Sequence, residues 1–127
     1  MLYATEGTLI ACEIANRMKW SVNLSGGYHH ASTSTGGGFC VFPDITLAVH
    51  YIRTRMNKNK IMIIDLDAHQ GNGYERDFLK DDNVFIVDSY NPNIYPKDEV
   101  AKKAINLLLP VANYTSDEDY LTSLKRI

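Results

Sequence analysis

The sequence predicts an α/β domain with a central parallel sheet flanked by helices. Three apolar runs carry the sheet: "IMIIDL" (61–66), "VFIVD" (84–88) and "INLLL" (105–109). None alternates polar with apolar, which is how strands covered on both faces read. Helical periodicity precedes the first run, and strands alternating with helices build doubly wound parallel sheets.

The elements follow in order. Ile10, Ile14 and Met18 recur at i, i+4 and i+8 beside Ala11 and Ala15, predicting a helix over 6–19 with Thr5 or Thr8 as its cap. "WSVNL" (20–24) reads as a short strand stopped by Ser25-Gly26-Gly27, and a Gly/Ser/Thr-rich loop runs on to Gly38. Pro43 suits the first turn of a second helix, 43–57, with Ile45, Ala48, Val49, Ile52 and Met56 as its apolar stripe. The stretch between the first two main strands is open to loop or helix. Thr115-Ser116-Asp117-Glu118 forms a capping box for a last helix continuing as "DYLTSLKRI". The sequence stops at Ile127 without a cap or breaker, so the expectation is a segment of a longer α/β domain.

Bulk properties narrow the function classes. The 127 residues are 45% hydrophobic and 22% charged, ordinary for a globular domain. A net charge of -2 lacks the basic footprint of a nucleic-acid binder. No apolar run is long enough to span a bilayer, and "MLYATEGTL" has no basic-then-apolar leader pattern. Cys12 and Cys40 make no disulfide framework, so a reduced compartment is expected. Without a leader, the sequons at Asn23 and Asn113 are read as chance matches.

The chemistry concentrates in "DLDAHQGNGYE" (65–75). Asp65, Asp67 and His69 alternate with Leu66 and Ala68, so an extended backbone aims all three to one side. They end a predicted parallel strand, where open α/β sheets place their ligands. Buried carboxylates are costly without a compensating cation or hydrogen bonds, and Asp-x-His supplies one carboxylate and one imidazole of a zinc-type set. Gly71 and Gly73 would let the backbone turn tightly there. "SGGYHHA" (25–31) sets His29 and His30 side by side after another predicted strand, as candidate acid/base groups. The bland alternatives are solvated turns, and their coincidence favours the chemical reading. His50 lies opposite the helix stripe and reads as a solvated residue. "TGGGF" (35–39) lacks the Gly-Lys-Ser/Thr of a phosphate loop. Tyr95 in "NPNIYP" either lines a cleft or packs a turn.

Taken together, "GGYHHA", "GGGFCVFPDITLA", "IIDLDAHQGNGYERDF" and "IYP" resemble the zinc-dependent histone deacetylase family, most nearly its class IV, histone deacetylase 11-like branch. The resemblance covers nearly the whole sequence and implies part of an arginase/deacetylase α/β fold. It implies Asp67 and His69 as two of three zinc ligands, the third lying outside these residues. It implies His30 as general base acting on a zinc-bound water, His29 as an electrostatic assistant, and Asp65 as support for His29 that also contributes to a potassium site. Gly38, Phe39 and Tyr95 match the walls of an acyl-lysine tunnel. Asn72 stands where most of the family has an Asp behind the second histidine, and Pro43 replaces a common Asn; both fit class IV.

The implied activity is hydrolysis of N6-acyl-lysine amides of histones or other proteins, with Zn2+ and a supporting K+ as cofactors. Co-repressor or deacetylase complexes are implied partners, without direct nucleic-acid or membrane binding, in the nucleus, the cytoplasm or both. "RTRMNKNK" (53–60) is too short and interrupted for a nuclear localisation cluster. Two other readings stand beside this one. A truncated isoform would act as a non-catalytic binding module. A two-manganese ureohydrolase would carry Asp-x-His-x-Asp, but Gly71 occupies the last position.

Overall fold

A computed structural model describes residues 1–125 and Ile127. Helix α1 (Leu2–Met18) and helix α2 (Asp44–Met56) precede strand β1 (Ile61–Asp65), helix α3 (Asn72–Asp77) and strand β2 (Val84–Asp88). A 3-10 turn (Ala101–Ala104), strand β3 (Leu107–Leu108) and helix α4 (Asp117–Leu124) complete the order. The sheet runs β1-β2-β3, all parallel, with Ile61 opposite Val84 and Asp65 opposite Asp88. That register brings the two strand-end acids side by side. No described helix is long and apolar enough to cross a membrane.

The core lies on one face of the sheet. Val49 of α2, Tyr74 of α3, Phe78, Val84 and Ile86 form it, with Ile45, Ile61, Ile63 and Ile105 packed against them. Fully burying one such side chain contributes about 1.5–3 kcal/mol. The predicted stripe of α2 faces inward, with Ala48 and Val49 buried. On the opposite face Met62, Ile64, Leu66 and Phe85 are exposed while Val87 is buried, so among the described residues that side is only partly covered. Arg53 of α2 grips Asp81, just before β2, through two hydrogen bonds of 2.5 and 3.0 Å. That guanidinium holds the Asp81 carboxyl below the usual range.

Several local expectations are overturned. Ile10, Ile14 and Met18 face solvent, because α1 meets α2 through a small, polar face. There Thr5 is buried, and the Thr8 hydroxyl donates to Asp44 at 2.6 Å. Helix α1 starts at Leu2 after Met1, so Thr5 and Thr8 lie inside it and cap nothing. Residues 20–24 are not a strand. Ser21 donates to the Ala11 carbonyl (2.6 Å) and Asn23 to the Ala4 carbonyl (3.2 Å), strapping the segment to α1 instead of a neighbouring strand. Pro43 is the residue before α2, not its first. The third strand shortens to Leu107–Leu108. The last cap shifts by one: the Ser116 hydroxyl accepts from the Asp119 amide (3.2 Å) and donates to the Asp119 carboxylate (2.7 Å).

Candidate active site

The functional side chains gather at the carboxyl end of the sheet. His29 and His30 come from the 25–35 loop, and Asp65, Asp67 and His69 from the end of β1. Asn72 opens α3, and Tyr95 lies on the loop after β2.

Beyond Asp65 the backbone does not stay extended. The Asp65 carboxylate accepts from the Asp67 amide (3.0 Å), and the Asp67 carboxylate from the His69 amide (2.8 Å). These are two successive Asx turns, in which the side chain replaces a backbone partner. The predicted alternation is thus overturned as a backbone description, yet the side chains still converge. His69 Nδ1 is 3.0 Å from Asp67 Oδ1, and His29 Nε2 is 3.7 Å from the same oxygen. The glycines also act differently than expected. Neither Gly71 nor Gly73 has a positive φ; each is needed for close approach. A Cβ on Gly73 would lie 2.3 Å from the Ala31 carbonyl oxygen, and one on Gly71 2.3 Å from the Tyr74 ring.

The two histidines are electrostatically distinct. His29 Nδ1 donates to Asp65 Oδ2 at 2.8 Å. Burial lowers its pKa, but the hydrogen bond and charge of Asp65 outweigh that and hold it above the ordinary value. His30 Nδ1 lies 2.8 Å from Asn72 Oδ1. A carbonyl oxygen only accepts, so Nδ1 carries the proton and Nε2 is the free base. Burial pushes its pKa down and outweighs the Asn72 hydrogen bond, which raises it, and the neighbouring imidazoles add to the lowering. Paired groups driven apart in this way divide into a charged partner and a neutral base.

Ring centroids place His30 4.1 Å from His29, 5.0 Å from Tyr95 and 5.9 Å from His69. Gly38, with φ 50°, lets the turn pass beside His30; a Cβ there would lie 2.1 Å from the ring. Phe39 is apart from the cluster contacts, at 99% exposure, and among the described residues nothing covers it. His50 is exposed, as expected.

Asp67 and His69 are donors of the kind zinc takes, and their half-exposed side chains, 52% and 45%, are open to a ligand. Burial raises the Asp67 pKa, but the His69 amide and ring and the His29 ring bring it below the usual value. Among the described residues no group of three or more His, Cys, Asp or Glu could hold a metal. The set fits zinc in kind and is short in number. A surface cleft of about 630 Å³ lies elsewhere, against Leu66, Ala68, Ser89, Tyr114 and Tyr120. Its lining includes none of the histidines.

Two further features escaped the sequence reading. The Tyr74 hydroxyl donates to Asp65 Oδ2 (3.0 Å), so that oxygen serves Tyr74 and His29 together. Burial and the surrounding acids hold Tyr74 neutral as that donor. Behind it, Glu75 and Asp88 are fully buried, and among the described residues Glu75 Oε1 and Asp88 Oδ1 have no hydrogen-bond partner. One proton shared by the pair would satisfy both oxygens, and burial, which raises both carboxyls, favours holding it. A signal existed: "IMIID" and "VFIVD" each close a four-residue apolar run with Asp.

Burial and the neighbouring Glu75 push Asp88 up to about 9, and burial raises Glu75 as well. The sign follows from linkage: across the window from about 4 to about 9, the folded chain keeps a proton that the unfolded chain has released. Stability therefore falls as pH rises through that window. In urea titrations Asp88→Asn, whose amide donates permanently to Glu75, is expected to lose this decline. A variant with the unaltered pH dependence would refute the shared proton.

Comparison with known proteins bears on the family and the fold. Residues 1–127 match the histone deacetylase domain family. The chain is 45% identical over 118 residues to "Histone deacetylase 2" of Arabidopsis thaliana, covering 93% of this chain and 30% of that protein. An HDAC homolog from Aquifex aeolicus superposes with a TM-score of 0.85 at 29% identity, over 97% of this chain and 36% of that one. An HDAC homolog complexed with SAHA gives a TM-score of 0.80 at 28% identity, over 98% and 38% of the respective chains. The chain spans roughly a third of the length of these relatives, between 30% and 38%. Matched along its full length, and carrying the His pair beside Asp67 and His69, the chain belongs to the histone deacetylase domain family.

Proposed function

We propose that this chain is part of the catalytic domain of a zinc-dependent lysine deacylase of class IV type, hydrolysing N6-acyl-lysine amides of histones or other proteins. The observation that carries the reading is the convergence of His30 and His29 on Asp67 and His69. In it Asp67 and His69 would hold the metal together with a third donor from outside the described residues. Zinc, when bound, polarises an amide carbonyl and acidifies water.

The chain's own groups supply the rest. His30 Nε2 takes the proton of the attacking water and returns it to the lysine nitrogen as the C–N bond breaks. His29, held by Asp65, provides positive charge beside the developing oxyanion. Asn72 fixes the His30 tautomer without adding charge, and burial keeps the imidazole a neutral base. Tyr95, Gly38 and the exposed Phe39 form the path for the acyl-lysine chain. The apolar faces of α1 and of the sheet fit contact with the remainder of a longer domain. A supporting K+ near Asp65, co-repressor or deacetylase complexes, and a nuclear or cytoplasmic location belong to the same reading.

The test is a chimera in which this chain replaces the matching segment of the Arabidopsis relative. Zinc-dependent release of free acid from an acetyl- or long-chain acyl-lysine peptide is the expected result. A folded, zinc-loaded chimera that turns over neither peptide would sink the reading.

A further inference from the structure

The loop carrying His29 and His30 belongs to no helix and no ladder, so its shape depends on what holds its ends. At the near end stands Asp44, fully buried at the start of α2. Its Oδ1 accepts from the Tyr28 amide (2.7 Å), and its Oδ2 from the Gly27 amide (2.8 Å) and the Thr8 hydroxyl (2.6 Å). Gly26, at φ 96°, makes that approach possible, since a Cβ there would lie 2.6 Å from Asp44 Oδ2.

At the far end Asp77, the last residue of α3, accepts the Thr33 amide (3.1 and 3.0 Å) and the Thr33 hydroxyl (2.8 Å). Its second oxygen also takes the Thr46 hydroxyl of α2 (2.7 Å). Midway, the Gly73 amide donates to the His29 carbonyl at 2.8 Å. Hydrogen bonds to an ionised carboxylate are roughly twice as strong as neutral ones.

We propose that Asp44 and Asp77 are positioning residues, a two-ended carboxylate clamp that fixes the Gly27–Thr33 loop. The clamp sets the His30 ring against Tyr95 and His69, and the His29 ring beside His30 and Asp65. Neither acid touches the histidine rings in any hydrogen bond, so both act through backbone placement. The importance of that placement for catalysis rests on the deacylase reading; the clamp itself does not.

The test therefore reads geometry in the 127-residue chain by NMR, using Asp44→Asn, Asp77→Asn and the milder Thr33→Ala. Asp44→Asn is expected to speed amide exchange at Gly27 and Tyr28, and Asp77→Asn at Thr33, each by at least ~10-fold. Ring-to-ring NOEs from His30 to Tyr95 and His69 are expected to weaken in both, while the Ile63 and Ile86 amides keep their protection. Thr33→Ala is expected to speed exchange at Thr33 alone. Unchanged ring NOEs and loop exchange would overturn the clamp. So would Ile63 and Ile86 exchange accelerating as much as the loop, which would make the acids general stabilisers. Failure of the chimera to deacylate would leave these signals untouched, so the two ideas fail separately.

Discussion

His30→Ala in the chimera is expected to lower kcat/KM by ~10²–10⁴-fold, the range for removing a general base, while leaving zinc content unchanged. The size follows from the geometry. His30 presents Nε2 as its free nitrogen because Asn72 occupies Nδ1, and it stands 5.9 Å, centroid to centroid, from the His69 ring. No other neutral base in the cluster replaces it. His29 is raised in pKa through Asp65 and is already committed to that carboxylate, so His29→Ala is expected to cost less. The pH profile carries a second signature. Burial holds the His30 pKa below its ordinary value of about 6.5, and a base works only when unprotonated. The acid limb of the kcat/KM profile is therefore expected below that value, with zinc's positive charge acting in the same direction. Equal rates for the His30→Ala and unaltered chimeras would remove His30 from the base role.

The 127-residue chain by itself is expected to leave dialysis with far less than one zinc per chain and with no measurable turnover of an acyl-lysine peptide. Catalytic zinc sites use three protein ligands, and here two donors stand together. Both are partly solvated, so water competes for the ion with only one carboxylate and one imidazole opposing it. Metal analysis after dialysis, alongside mass-spectrometric detection of the free lysine peptide, checks both halves. Stoichiometric zinc with turnover would mean that a third ligand lies within these residues after all. In the chimera, by contrast, zinc is expected at one per chain, and Asp67→Ala is expected to abolish its retention.

Much of the site was legible in the sequence because its chemistry is local. Asp67 and His69 are two residues apart, and the histidines are adjacent, so each pair is close along the chain, and the Asx turns at Asp65 and Asp67 bring the first pair into contact. The three main strands were legible for a related reason. An unbroken apolar run between polar segments has few ways to bury itself other than in a helix-covered sheet. Faces were not legible in the same way. Ile10, Ile14 and Met18 have helical spacing but point outward, because Thr8 and Asp44 hydrogen-bond across the opposite, polar face. Residues 20–24 have strand composition without strand pairing, since a strand needs a neighbour and composition does not provide one.

By itself, then, the sequence determined the sheet-building runs, the helix stripe of α2, the paired donors and the paired histidines. Each is a pattern within a few residues of chain. Tertiary structure alone decided that Asn72 backs His30 across 42 positions and that Asp65 serves His29 and Tyr74 at once. It also buried Glu75 and Asp88, each with an unpartnered oxygen, and made Asp44 and Asp77 bond to a loop from two different helices. These are long-range contacts between polar groups, set by strand register and helix packing. A polar residue's type states what it can bond, but not which distant partner the fold will bring.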